Sequence, residues 1–173
     1  MDAPAARLLE HWHEFYLLMG TAAAALIALL FVAASIGAGI LSPERTTATK
    51  TYMSPVIVHY TSVLFVSLCA LVPSQTLRSL ALLVGLDAVG GFVFCAVILA
   101  RLFTDGIADL ADRFGYGLTP LLCYVATFVA ACLLWMGSPW SAEVLAAALV
   151  LLLIVNIRNA WDLALAMARQ HSK

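Results

Sequence analysis

The chain has 173 residues, of which 64% are hydrophobic and 11% charged, and its net charge is -1. A soluble domain carries roughly 25% charged residues, and a water-soluble fold of this length has no means of hiding so much apolar surface. The charge balance speaks against nucleic acid as a partner, and the lipid bilayer is the expected solvent.

In chain order, the first element is an N-terminal arm. Leu8, Leu9, Trp12, Phe15 and Tyr16 recur at helical spacing with charges opposite. This predicts an amphipathic helix lying on the outer membrane surface and running into the first span. Asp2, Glu10 and Glu14 stand where a signal peptide would be basic, and the following apolar run is too long for one. Glu10, His11, His13 and Glu14 have the chemistry to bind zinc or copper, but a solvated face is the preferred reading. His11 and His13 are therefore only weak metal candidates.

The apolar runs predict an all-α integral membrane bundle of five transmembrane helices in a single domain, residues 1–173. The spans are 15–41, 54–72, 77–103, 120–136 and 142–168. All but the fourth meet or nearly meet the ~20 residues that cross a bilayer. In the first span, Gly20, Ala24 and Ala28 form a stripe of small residues suited to helix packing, within one bundle or between chains. Ser54-Pro55, Thr119-Pro120 and Ser138-Pro139 each pair a capping residue with proline at a first helical position, and Ser74 is placed to cap the third span. Short joints at 42–53 and 73–76 make the first three helices antiparallel neighbours. Between spans three and four, Asp105, Asp109 and Asp112 share one side of a second amphipathic stretch, which Gly115 and Gly117 end. Cys69, Cys95, Cys123 and Cys132 all fall in apolar runs without a C-x-x-C pair, so no disulfide or thiol redox site is expected.

Basic residues set the orientation. With the N-terminus outside, Arg45, Lys50, Arg101, Arg113, Arg169 and Lys173 lie inside, against Arg7 and Arg78 outside. This predicts N-out, C-in.

The polar residues inside the spans are the candidate functional groups. Span five carries Asn156, Arg158, Asn159 and Asp162 in an apolar run. At ~1.5 Å per residue, Asn156 lies ~10 Å inside the hydrocarbon, too deep to reach water, whereas Arg158 snorkels and Asp162 reaches the interface. Arg158 and Asp162 are spaced i, i+4 and are expected to pair. The same arithmetic brings His59 and Tyr60 of span two and Tyr124 of span four to this level. One polar layer is predicted from His59, Tyr60, Tyr124, Arg158, Asn159 and Asp162. Asp87 is separate, about 10 Å below the outer edge beside Gly85, Gly90 and Gly91, with no cation on its own helix to pair with. One intramembrane histidine excludes a bis-histidine haem within the chain, and no cofactor is implied.

The segments Ser54-Pro55-Val56-Ile57-Val58-His59 and Asn156-Ile157-Arg158-Asn159-Ala160-Trp161-Asp162 resemble parts of small, uncharacterised multi-pass proteins of bacteria. The resemblance implies a bacterial inner-membrane home and carries no activity. G-x-S-x-G, H-E-x-x-H and P-loop motifs are absent, so the common membrane hydrolases and nucleotide enzymes lack support. The expected function is a small oligomeric channel or transport-type protein whose intramembrane polar residues line a path. The alternative is a non-catalytic accessory subunit of a larger membrane complex, its polar layer only fixing helix packing. Its partners are then the bilayer and either further copies of itself or another membrane protein. The unbridged gap between Asp87 and the inner layer favours the alternative.

Overall fold

A computed structural model of the chain describes residues 10–38, 43–104 and 117–170, with side chains described over 10–35, 55–100 and 117–165. These residues form five helices and no strand: α1 His13–Ala38, α2 Pro43–Ala70, α3 Leu77–Thr104, α4 Thr119–Trp135 and α5 Ser141–Gln170. Three stretches are long and apolar enough to cross a membrane: His13–Ser35, Leu77–Ala100 and Ser141–Leu165. Pro55–Ala70 and Thr119–Trp135 are shorter apolar helices. Leu8 and Leu9 of the predicted arm, and Asp105, Asp109 and Asp112 of the predicted joint, lie outside the described residues.

Consecutive helices pack side by side, most extensively α3 on α4, and α2 also packs on α5. The larger core lies toward the end of the bundle where α1 begins. It joins Tyr16, Val63, Leu80, Tyr124, Leu134 and Leu149 from all five helices. A smaller cluster of Leu30, Val56 and Tyr60 closes the other end. Leu18, Leu86, Trp140 and Trp161 are among many large apolar side chains that face outward. An apolar outer surface around a small core is what a bilayer-facing bundle requires.

The helix ends differ from the sequence reading in instructive ways. Pro55 does not start α2. The helix begins at Pro43 and runs through Pro55, so the predicted joint at 42–53 is largely helical. Pro43 sits where proline suits a helix best, and no glycine interrupts the chain before Pro55. A proline in mid-helix removes one backbone bond, which a packed membrane helix tolerates. The cap of α3 is Thr76 and not Ser74. Ser79 N donates to Thr76 Oγ1 at 3.1 Å, and Thr76 N donates to Ser79 Oγ at 3.1 Å. This is a reciprocal capping box with serine in the place usual for glutamate. Pro120 does lie in the first turn of α4, but Leu118 occupies the cap position in helical conformation and provides no side-chain bond. Pro139 lies in the turn before α5, whose first backbone bond runs from Val144 N to Trp140 O.

At the other end of α4, Gly137 adopts a φ of 67°. Its N–H donates to Leu134 O at 3.1 Å, and Ser138 N donates to Leu133 O at 2.9 Å. Both bonds of a Schellman motif are present, and the left-handed residue is the one type without a steric cost there.

Two further expectations change. Trp12, Phe15 and Tyr16 pack on the larger core, with ring centroids 5.4 and 5.3 Å apart in sequence. The aromatic side of the arm, over the described residues, is turned to the bundle. The small-residue stripe of α1 divides. Gly20 is buried against Ser67, while Ala24 and Ala28 face outward. The buried face follows Tyr16, Met19, Ala23 and Leu30, whose larger contacts outweigh the pattern of small residues.

Candidate functional site

Helix α2 makes three hydrogen-bonded contacts at intervals of three residues, each to a different helix. Asn156 Nδ2 of α5 donates to the Val56 carbonyl at 2.7 Å. His59 Nδ1 is bonded to the Tyr124 hydroxyl of α4 at 3.0 Å. Ser62 Oγ donates to Asp87 Oδ2 of α3 at 2.6 Å. Each step of three residues rises ~4.5 Å and turns the contact by about 60° around the axis. The three contacts therefore climb and swing from α5 to α4 to α3. Ser62 bridges the gap that separates Asp87 from the layer of His59 and Tyr124.

The lower two contacts are sealed. His59, Tyr60, Tyr124 and Asn156 are each 1% exposed, and Asn159 is 2% exposed. Phe94 covers the imidazole edge-on at 6.3 Å. Either Nδ1–H donates to the phenol oxygen, or the phenol donates to an unprotonated Nδ1. His59 Nε2, Tyr60 Oη and Asn156 Oδ1 have no hydrogen-bond partner among the described residues. Each such atom costs about 1–3 kcal/mol when buried, so the layer is a strained element of the core.

Tyr124 reaches His59 only because of Gly91. A Cβ built on Gly91 would overlap the Tyr124 ring. The glycine lets the phenol lie flat on the α3 backbone, the close approach that glycine permits in packed membrane helices. Gly90, its neighbour, has nothing within 4 Å of such a Cβ.

The upper contact is open. Asp87 and Ser62 lie in a groove of about 480 Å³ between α2 and α3, walled by Ile57, Phe65, Leu83 and Leu86. Ser62 engages Oδ2, and no described residue bonds Oδ1 or forms an ion pair with this carboxyl. A smaller apolar groove of about 250 Å³ runs between α3 and α4 past Phe92 and Phe128, where Tyr124 is the one polar residue.

Arg158 and Asp162 point away from this arrangement and form the pair expected from their i, i+4 spacing. Their side chains are 75% and 51% exposed and lie 4.0 Å apart. At 100° per residue, Asn156 and Asn159 flank the buried meridian of α5, and Arg158 falls about 140° from it. The four polar residues share an arc, but only half of that arc faces protein. Glu10, His11, His13 and Glu14 are exposed, and no group of three or more metal-ligating side chains gathers among the described residues.

Ser62 is the residue of this candidate site that the sequence reading missed. A serine between Thr61 and Val63 in an apolar helix carries no signal of its own. Its spacing of three from His59 does, once the helix is known to be continuous. No protein-family model, curated protein or solved structure matches the chain.

Proposed function

We propose that this chain is a small oligomeric transport-type protein of a bacterial inner membrane, crossing it five times with the N-terminus outside. Its working group is Asp87, which takes up and releases a proton or another cation. The observation that carries this reading is a carboxyl on an open groove, bonded to a serine and paired with no cation among the described residues.

The placement of Asp87 strengthens it. Trp140 and Trp161 are exposed at the two ends of α5, 69% and 63%. They lie about 31 Å apart along the helix, close to the ~30 Å hydrocarbon thickness, and tryptophan favours both interfaces. Arg158 and Asp162 then sit at the same interface as Trp161, where their exposure costs little. Asn156 is about 8 Å above Trp161, and Ser62 about 9 Å above the level of Val56 and Asn156. Asp87 therefore lies near the bilayer midplane, where a charge is most expensive and a substrate site most common.

The orientation rests on the basic residues. A reporter fused after Lys173 is expected to be active only in its cytoplasmic form, and one fused before Met1 only in its periplasmic form. The reverse pattern inverts the topology and the ends assigned above.

Flux tests the function. Wild-type protein in proteoliposomes is expected to dissipate a proton gradient when a permeant cation is supplied on the opposite side. Asp87→Asn keeps the shape and the Ser62 contact but holds no charge. Its flux is expected to fall about a hundredfold, to the level of empty liposomes. Equal flux from both proteins would remove Asp87 from the path.

A second reading, a non-catalytic accessory subunit, is favoured by the sealed contacts of His59 and Asn156, which line no cavity. It becomes the better account if the wild type shows no flux and co-purifies with a larger membrane complex.

A further inference from the structure

We propose that the α2/α3 groove binds a hydrophobic monocation, an amine or onium ion with an apolar body, whose charge rests against the Asp87 carboxylate. This rests on the reading of Asp87 as the working group and names the class of substrate.

The chemistry of the groove selects that class. Its walls, Ile57, Phe65, Leu83 and Leu86, offer apolar surface and one aromatic face. Its one ionisable group is a carboxyl with Ser62 bonded to one of its oxygens, and Thr61 adds a hydroxyl to the lining. An ionised carboxylate in such surroundings needs a counter-charge, and without one it takes a proton. An anion is excluded by sign. A neutral ligand meets the protonated carboxyl and gains nothing from its charge. A small metal ion needs six or so oxygen ligands, and no group of three metal-ligating side chains forms among the described residues. A large, weakly hydrated cation needs few ligands and gains from the walls and from the Phe65 ring.

Size and access agree. The volume, about 480 Å³, falls within the range of small-molecule sites. The mouth lies on the outer face of the bundle, where Leu86 is 71% exposed. In a spanning orientation this is the lipid side, which an apolar cation reaches by partitioning. Gly90 adds no side chain at the groove, and space stands open beyond its Cα.

The exchange balances. The protonated Asp87 carboxyl loses its O–H proton to water as the cation arrives, so one positive charge replaces another. The titratable groups near Asp87 are Cys69 of α2 and Tyr124 of α4, with His59 of α2 behind Tyr124 and bonded to it. Of these only His59 is able to carry a positive charge, and it is buried and bonded to Tyr124.

Calorimetry on the purified full-length protein in detergent, with tetraphenylphosphonium as probe, decides the matter. Titration in two buffers of different ionisation enthalpy reads both affinity and proton release. Wild type is expected to bind saturably and release about one proton per cation. Asp87→Asn is expected to lose the proton release and at least about tenfold in affinity. Gly90→Trp keeps the carboxyl but fills the groove, and is expected to abolish binding while thermal unfolding stays near wild type. Triphenylphosphine oxide, similar in shape but uncharged, is expected not to compete.

Binding without proton release, equal affinity in Asp87→Asn, or competition by the neutral oxide would each overturn the proposal. So would a wild-type dimer that Gly90→Trp dissociates and that binds no phosphonium, since a second copy then fills the groove. Failure of the broader reading looks different. Phosphonium binding with proton release but no flux in liposomes keeps this site and removes transport. Flux without phosphonium binding keeps transport and removes this class of substrate.

Discussion

Gly91→Ala is expected to destabilise the folded bundle by about 3 kcal/mol or more, at or beyond the upper end of ordinary overpacking. The added methyl meets the ring of Tyr124, a large and rigid group. The ring has little room to yield, because Tyr124 is 1% exposed. Relief comes only by parting α3 from α4, the most extensive contact in the bundle, or by turning the phenol away from His59. Gly90→Ala is the control. The same methyl one residue earlier meets nothing within 4 Å, and alanine favours a helix over glycine by up to about 1 kcal/mol. Denaturant unfolding in mixed micelles is expected to place Gly90→Ala at or above wild type and Gly91→Ala far below it. A Gly91→Ala protein within about 0.5 kcal/mol of wild type would mean that Tyr124 does not lie on the α3 backbone.

Much of this arrangement was legible in the sequence, and the rest was hidden for physical reasons. Long apolar runs locate helices well, since hydrophobicity is a property of the segment. The third span, predicted at 77–103, is α3 at Leu77–Thr104. Helix starts were less legible, because a Ser-Pro pair has two meanings. Proline suits a first turn, and a packed membrane helix also accepts it in the middle. Ser54-Pro55 is the second case and Thr119-Pro120 is close to the first. Pro43, with the better start position, stood in a polar stretch that hydropathy discounts.

The candidate site divides the same way. Asp87 and Asn156 announce themselves, because each is costly in an apolar helix whatever its neighbours. Arg158 stands out for the same reason, and its side chain is exposed beside Asp162. Its cost is relieved by reach and exposure, which depend on the facing of α5 and not on composition. Ser62 was invisible because a serine costs little alone. It matters only through Asp87, twenty-five residues away. Gly91 stands beside Asp87 in the sequence, but that it makes room for Tyr124 follows only from the packing of α3 on α4.

The second large effect separates packing from function within the α2 contacts. Tyr124→Phe removes one oxygen and leaves the ring on Gly91. His59 then keeps neither bond, since its Nε2 has no partner to begin with. A buried imidazole without any hydrogen bond is expected to cost about 1–3 kcal/mol. His59→Leu removes the imidazole and deprives the phenol of its 3.0 Å partner, at a cost up to a similar size. The double variant carries neither unpaired group and fills the space with apolar atoms. It is expected to be more stable than the sum of the singles allows, with a coupling of at least about 1 kcal/mol. Additive losses would mean that the 3.0 Å contact is not a bond that the fold uses. Flux then assigns the role. The double variant is expected to fold and to conduct about as well as wild type, because the exchange proposed at Asp87 uses Ser62 and the groove, not the sealed contact one turn away. A folded double variant without flux would move the working path into the core, through His59 and Tyr124, and Asp87 would be its entrance instead of its site.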